Sequence, residues 1–239
     1  MNPASDGRLS AIARDLDLPE TASESTYRYL LEDAGSRLRI RLRDGGNSIF
    51  CQLDTDRFIA SLRSFPASRH GVFNQAIGRK TVTVLDATGG MGNDSLLLCG
   101  QGYRVTTLER NALLVVMMRD AFLHLGDSEW AGSNTAIMPT VIHDDARDWL
   151  RARKKPADCI YLDPMFPPKR KSSAAVNKDI RLLQELCGSD EDSTELLDVA
   201  RTSNARRVVV KRPRHAEPLA PDYSDSFSGK LVRYDLYLQ

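Results

Sequence analysis

The chain has 239 residues, 41% of them hydrophobic, and a formal net charge of +1. This length suits one α/β domain with a modest appendage, and the near-neutral charge excludes binding to a polyanion through overall charge alone. The chain has no apolar run typical of a secretory signal or a membrane span, and its four cysteines and four histidines are scattered. We therefore expect a cytoplasmic protein with no membrane partner and no metal site. The sequence carries no signal for the oligomeric state, for which a monomer is the working expectation.

The first 75 residues are interpreted as a small α+β subdomain built around an antiparallel hairpin. Leu38, Ile40 and Leu42 alternate with arginines, which is the period-2 pattern of a strand with one buried face. The turn residues Asp44-Gly45-Gly46-Asn47 and the apolar stretch after them complete the predicted hairpin. We interpret the alternating arginines as a solvated face of this sheet rather than an RNA-binding surface.

Residues 76–239 show alternating strands and helices, which predicts a second, larger domain. Its predicted strands are short and apolar, and they cover residues 81–86, 103–108, 136–142, 158–162, 206–211 and 231–238. The predicted helices lie between them, at residues 93–100, 112–125, 145–153, 177–187 and 193–204. This alternation implies an α/β fold with a mainly parallel twisted sheet and helices on both faces. Ligands of such folds bind at the carboxyl ends of the strands.

A glycine turn follows the first strand of this domain, within the stretch Val84–Asp94. Asp86 ends the strand, and Gly90-Met91-Gly92 leads into a helix near Asn93, so backbone N–H groups can face a nucleotide-like cofactor. The third glycine of a G-x-G-x-x-G motif is missing, which weakens a dinucleotide interpretation. Asp86 and Asp94 would repel a pyrophosphate but suit the positive groups of S-adenosylmethionine (SAM). A nicotinamide-dependent oxidoreductase stays open as an alternative.

Acidic residues also follow the next two predicted strands. Glu109 can accept hydrogen bonds from both hydroxyls of a ribose, which NAD and SAM share, so it does not separate the two cofactors. Asp145 stands directly before Ala146, where a helix is expected to begin. An acid at that position can cap the helix, accept a hydrogen bond from an adenine amine, or do both.

The sharpest signal is Asp163-Pro164-Met165-Phe166, at the end of another strand. An amine conjugated to a heterocycle is a poor nucleophile because its lone pair is delocalised into the ring. The Asp163 carboxylate and the Pro164 carbonyl can accept hydrogen bonds from the two N–H groups of such an amine and hold its nitrogen in line with a sulfonium methyl group. Phe166 can stack on the base. Together with the glycine turn, this motif predicts a SAM-dependent methyltransferase acting on a planar exocyclic amine.

Basic residues cluster after two of the predicted strands. One cluster contains Lys169, Arg170 and Lys171, and the other contains Lys211 and Arg212. Both are expected on the ligand side of the sheet, where contacts to phosphates would position a nucleic acid without reading its sequence. We therefore predict RNA binding at this rim.

With these motifs, the chain resembles the bacterial 16S ribosomal RNA guanine-N2 methyltransferases of the RsmJ type, among the class I Rossmann-like methyltransferases. The resemblance covers roughly residues 80–238, and the joint occurrence of Asp-Pro-Met-Phe-Pro and Val-Val-Val-Lys-Arg-Pro carries it. It implies methyl transfer to guanine N2 in 16S ribosomal RNA, as free RNA or in the small ribosomal subunit. It also implies a set of SAM contacts from Asn93, Asp94, Glu109, Arg110, Asp145, Ala146 and Asp163. Asn93 replaces the family's Arg, and Asp145-Ala146 replaces a Ser pair.

Two alternatives to this interpretation stay open. In the first, the protein is a methyltransferase with another acceptor, adenine N6 or a protein glutamine, because the same loop would orient any planar amine. In the second, the protein has the same fold but is a non-catalytic RNA-binding module.

Overall fold

The computed structural model describes residues 3–20, 27–44, 47–51, 53–64, 71–127, 138–152, 157–164, 186 and 192–239. Its N-terminal part contains three helices and a three-stranded antiparallel sheet, namely α1 (Pro3–Asp15), β1 (Tyr29–Asp33), β2 (Leu38–Asp44), β3 (Asn47–Cys51), α2 (Thr55–Ser64) and α3 (Val72–Ile77). The predicted hairpin is confirmed, because Asp44 pairs with Asn47 in register across β2 and β3.

The arginines in and directly before β2 are less solvated than the sequence suggested. Arg37 reaches the buried Asp120 at 2.7 Å, with its own side chain only 12% exposed. Arg39 and Arg41 both pair with Glu32 on the neighbouring strand β1. The interpretation as a solvated face is therefore wrong for Arg37, which joins the N-terminal sheet to the rest of the chain.

The larger part of the chain alternates as predicted, with β4 (Thr83–Asp86), α4 (Asn93–Gly100), β5 (Arg104–Glu109), α5 (Ala112–Gly126), β6 (Thr140–His143), α6 (Ala146–Arg151), β7 (Cys159–Leu162), α7 (Ser193–Thr202), β8 (Arg207–Pro213), β9 (Asp225–Ser228) and β10 (Val232–Leu238). The sheet order is β6-β5-β4-β7-β8-β10-β9. Strands β4 to β8 run parallel, and β10 is antiparallel to both β8 and β9. The α/β class with a mainly parallel sheet is thus confirmed.

The larger part contains one strand that the sequence does not predict. Strand β9 was not predicted, because its sequence Asp-Ser-Phe-Ser has a single apolar residue and resembles a polar loop. It forms at the sheet edge because β10 offers a pairing partner over four residues. The predicted helix at 177–187 lies outside the described residues, apart from Leu186.

Apolar layers cover both faces of the central sheet. Leu85 and Ile160 pack with α6 and α7 on one face, whereas Val84 and Tyr161 pack with α3 and α4 on the other. This alternation follows from the period of two in a strand. Short strands that are buried on both faces explain the continuous apolar runs in the sequence.

Helix α5 is apolar almost all round because it lies between two sheets. Its consecutive residues Leu114 to Met118 are all buried, and they pack both with the N-terminal sheet and with central-sheet elements. The helix reaches the surface near its end, at Leu123 and His124, and its earlier turns lack the polar stripe of a surface helix. The N-terminal sheet therefore shares its core with the larger part, while a domain boundary near residue 75 stays a prediction.

Candidate active site

A cavity of about 320 Å³ opens at the carboxyl ends of the parallel strands. Its walls come from the segments after β4, β5, β6 and β7, together with Lys211 of β8 and the start of α7. Strands β4 and β7 are neighbours in the sheet although β5 and β6 separate them in the chain. This is the point where the strand order reverses, at which open α/β sheets bind ligands.

The glycine turn between β4 and α4 lies directly against β5. The Gly89 N–H donates to the Leu108 carbonyl at 2.9 Å, and a Cβ at Gly89 would lie 2.9 Å from that same oxygen. Gly92, before the first residue of α4, has a φ of 77°, which favours glycine. Both glycines are therefore required by the local backbone, which brings main-chain groups to the cavity wall.

Glu109 ties this turn to the end of β5. Its carboxylate accepts the N–H of Gly90 and the N–H of Asn111, each at 2.7 Å, and the side chain is only slightly exposed. Gly90, Glu109 and Arg110 all line the cavity, and their contacts to the cofactor stay a prediction. Arg110 pairs with Asp192 at 2.6 Å, just before α7.

Asp86 lies behind the cavity wall rather than in it. Its side chain is 1% exposed. It accepts hydrogen bonds from the Thr88 N–H and from the Ser95 hydroxyl, at 3.1 and 2.5 Å. Burial raises its pKa to about 7. The expectation that Asp86 contacts the cofactor is therefore corrected, since it supports the turn from beneath.

Asp145 performs the capping role that the sequence left open. It accepts the N–H of Arg147 at 2.9 Å as the N-cap of α6, and it also pairs with the Arg147 guanidinium. These hydrogen bonds lower the pKa of Asp145 to about 2. Asp145 and Ala146 both line the cavity, so capping does not remove them from a ligand's reach.

Asp163, Asp94 and Lys211 form a charged cluster at the other side of the cavity. The Lys211 ammonium donates to Asp94 at 2.7 Å and to Asp163 at 2.8 Å. The Tyr161 hydroxyl donates to the same Asp94 oxygen at 2.7 Å. Burial raises the pKa of Asp163, while the Lys211 ammonium opposes this rise. The Asp163 backbone N–H donates to the Thr88 hydroxyl at 2.6 Å, which fixes the start of the Asp-Pro motif.

The second predicted RNA-binding cluster is divided between the two faces of β8. Lys211 lines the cavity, whereas Arg212 is 7% exposed and its guanidinium donates to the Glu217 carbonyl. The expectation that these two residues contact phosphates together needs correction, because successive side chains of a strand point to opposite faces. Phe166, Lys169, Arg170 and Lys171 lie outside the described residues.

Sequence reasoning missed several polar residues that shape the cavity. Thr88, Arg147 and Asp192 line it, and Ser95 links Asp86 to the buried Thr107 hydroxyl at 2.7 Å. Arg147 could have been found from its position, two residues after a predicted capping Asp. Asp192 precedes a predicted helix at residue 193, which is another capping position.

Within the described ranges, no three His, Cys, Asp or Glu side chains are grouped as they would be to hold a metal ion. In the same part of the chain, no helix has the length and apolarity to cross a membrane.

Comparison with known proteins identifies the family. A family of SAM-dependent methyltransferases matches residues 11–239. The chain belongs to this family. Ribosomal RNA small subunit methyltransferase J from Coxiella burnetii is 36% identical over 99% of this chain and 94% of its own length. The protein of the same name from Thioalkalivibrio sulfidiphilus is 36% identical over 97% and 92%.

The fold agrees with that of a solved methyltransferase. The crystal structure of a SAM-dependent methyltransferase from Neisseria gonorrhoeae matches with a TM-score of 0.75 and 24% identity, over 99% of this chain and 93% of that one. The family match makes the protein a SAM-dependent methyltransferase, so the nicotinamide alternative is wrong, and the structural match shows its Rossmann-like fold. The cavity fits this cofactor, because a glycine-rich turn and the acidic residues Glu109 and Asp163 converge on it.

Proposed function

We propose that this protein transfers a methyl group from SAM to the exocyclic N2 of a guanine in 16S ribosomal RNA. The observation that carries the proposal is the position of Asp163 and Pro164 in the cavity wall, beside the glycine turn. The names of the relatives, which refer to the small-subunit ribosomal RNA, support the choice of acceptor. We also propose the cytoplasm as the site of action, since ribosomal RNA is the substrate.

In this proposal, one group of residues holds the cofactor, namely Gly90, Asn93, Asp94, Glu109, Arg110, Asp145, Ala146 and Asp163. All of them line the cavity. Glu109 accepts the ribose hydroxyls, as a carboxylate at the end of the second strand does in nucleotide-binding folds. Asp145 accepts a hydrogen bond from the adenine amine. When bound, SAM supplies a methyl group that its sulfonium makes strongly electrophilic.

Asp163 and Pro164 orient the acceptor. The Asp163 carboxylate and the Pro164 carbonyl accept hydrogen bonds from the two N–H groups of the guanine amine. This aligns the lone pair of the nitrogen with the methyl carbon. The bond from nitrogen to the methyl carbon forms as the bond from sulfur to that carbon breaks, and S-adenosylhomocysteine is the leaving group. The proton passes from the methylated nitrogen to solvent after transfer, so no anionic nitrogen needs to form beforehand. Phe166 stacks on the guanine ring, and Lys169, Arg170 and Lys171 contact phosphates of the RNA.

The test is methylation of small-subunit RNA from a strain in which the corresponding gene is deleted. The purified protein and labelled SAM are incubated with free 16S RNA and, in parallel, with intact small subunits. The RNA is then digested to nucleosides and analysed by mass spectrometry. We expect label in N2-methylguanosine with one of the two substrates. Label in N6-methyladenosine, or label that stays with the protein fraction of the intact subunits, would contradict the proposed acceptor.

A matched variant assigns the label to this site. Asp163→Asn keeps the size of the side chain but replaces one acceptor oxygen with an N–H donor. The same digest from this variant should contain almost no N2-methylguanosine. Label that persists at the wild-type level would show that the acceptor is oriented elsewhere.

A further inference from the structure

Lys211 lies on β8, two strands away from β4, yet its ammonium contacts carboxylates that follow β4 and β7. It bridges Asp94, on the first turn of α4, and Asp163, which follows β7, at 2.7 and 2.8 Å. Its side chain is 23% exposed, compared with 19% for Asp94 and 38% for Asp163. Two of the three donors of the ammonium are thus directed at Asp94 and Asp163 rather than outward to an RNA backbone.

The cluster around Lys211 contains more acid than base. The titratable groups that face Asp163 are Asp94 of α4, Asp86 of β4, Tyr161 of β7, Lys211 of β8 and Tyr234 of β10. Lys211 is the only cation in this set of described groups. Two carboxylates, those of Asp94 and Asp163, thus share one ammonium, and this excess of acid suits the positive charge of a sulfonium.

The hydrogen bonds of Asp94 show that the bridge has a fixed geometry. The Asp94 oxygen that accepts from Lys211 also accepts from the Tyr161 hydroxyl at 2.7 Å. Tyr161 is fully buried, with its ring edge against Phe73. Lys211 is therefore held on one side by a carboxylate that the core fixes, and it can hold Asp163 on the other.

We propose that Lys211 is a positioning residue, which keeps Asp163 ionised and oriented so that its carboxylate accepts a hydrogen bond from the acceptor amine. This inference rests on the proposed role of Asp163 and adds the group that makes that role possible. A carboxylic acid at this place would donate a hydrogen bond from its O–H and would compete with the amine. The paired ammonium prevents this by favouring the carboxylate.

The direct test follows the protonation of Asp163 without any acceptor. The 13C signals of the aspartate carboxyl groups are recorded as a function of pH by NMR, with the Asp163 signal assigned from its loss in Asp163→Asn. In Lys211→Met, which removes the charge but keeps a long side chain, we expect the Asp163 midpoint to rise by about 1 to 3 pH units. Lys211→Arg keeps the charge and should hold the midpoint near that of the wild type.

Kinetics then connect this protonation to the reaction. In Lys211→Met we expect kcat at neutral pH to fall by about 10²-fold, with the KM for SAM changed by less than about 3-fold. The acidic limb of the kcat profile should move to higher pH, and Lys211→Arg should restore much of the rate. Lys80→Met is the matched control, because Lys80 is an exposed lysine before β4, at the opposite end of the sheet.

Each result supports or overturns the proposal. An unchanged Asp163 midpoint in Lys211→Met overturns it, whatever the identity of the acceptor. A rise in the KM for SAM with kcat unchanged also overturns it, since Lys211 would then serve cofactor binding alone. If Lys211→Met does not fold, a midpoint for Lys211→Arg that matches the wild type supports the proposal, and a higher one contradicts it. Failure of guanine N2 as acceptor in the wild type would leave these NMR results unaffected.

Discussion

The two ends of β7 each carry an aspartate, and the two residues have opposite environments. Asp158 precedes the strand and accepts hydrogen bonds at 3.0 Å from the Val82 N–H, the Thr83 N–H and the Thr83 hydroxyl. These hydrogen bonds lower its pKa. Asp163 follows the same strand, where burial raises its pKa and one lysine is shared with Asp94.

The amino end of β7 thus contributes to the stability of the sheet, whereas its carboxyl end carries the candidate site. At the amino end, every contact of Asp158 described above joins β7 to β4, and the pKa shift favours the charged form. At the carboxyl end, Asp94 and Asp163 share a single lysine, and burial together with their charges raises the pKa of Asp86, which is an arrangement that folding alone does not favour. Perturbed acids in a cleft are typical of functional sites.

The largest expected effect comes from Asp163→Asn. We expect the rate of methyl transfer to fall by about 10³-fold, because an amide N–H would oppose the donor amine of the acceptor. The affinity for S-adenosylhomocysteine should change by less than about 10-fold. Single-turnover kinetics measure the first quantity and calorimetric titration the second. Near-normal turnover in this variant would remove Asp163 from the mechanism.

Asp86→Asn tests whether the buried acid at the carboxyl end of the sheet lowers the free energy of unfolding. Asp86 has a pKa of about 7 in the folded protein against 3.8 ordinarily, so the folded state binds this proton more tightly than the unfolded chain. The wild type therefore loses stability as the pH rises from about 4 to about 7, by up to about 4 kcal/mol. The variant lacks this loss. Urea unfolding from pH 5 to 8 should show its advantage over the wild type growing with pH, and a constant difference would contradict the account.

Asp158→Ala should have the smallest effect, and on stability alone. Removing an acceptor of three hydrogen bonds should lower the free energy of unfolding by about 1 to 3 kcal/mol at neutral pH. Because the pKa of Asp158 is lowered on folding, this loss should shrink as the pH falls through that pKa. Turnover per folded molecule should stay within about twofold of the wild type. A variant with normal stability but impaired turnover would contradict the assignment of Asp158 to stability and of Asp163 to the reaction.

The sequence predicts the fold well because its signals are local. Apolar runs and the period of two identify β4, β5, β7, β8 and β10, and the acids that follow the strands identify the end of the sheet that binds the ligand. Strand β9 was missed because a polar edge strand depends on its neighbour rather than on its own sequence.

The sequence predicts the details of the site less well, because these depend on which strands become neighbours. Lys211 was assigned to RNA from its basic surroundings, while its carboxylate partners are 48 and 117 residues away in the chain. Alternation along β8 could have shown that Lys211 and Arg212 face opposite sides. The burial of Asp86 depends on Ser95 and Thr107 closing over it, which no local pattern indicates.

A crystal structure of the protein with S-adenosylhomocysteine tests the central claim most directly. The account predicts the ribose hydroxyls on Glu109 and the sulfur atom facing Asp163 and Pro164, all at the carboxyl end of the sheet. A nucleoside bound elsewhere, or a sulfur atom turned away from Asp163, would contradict it.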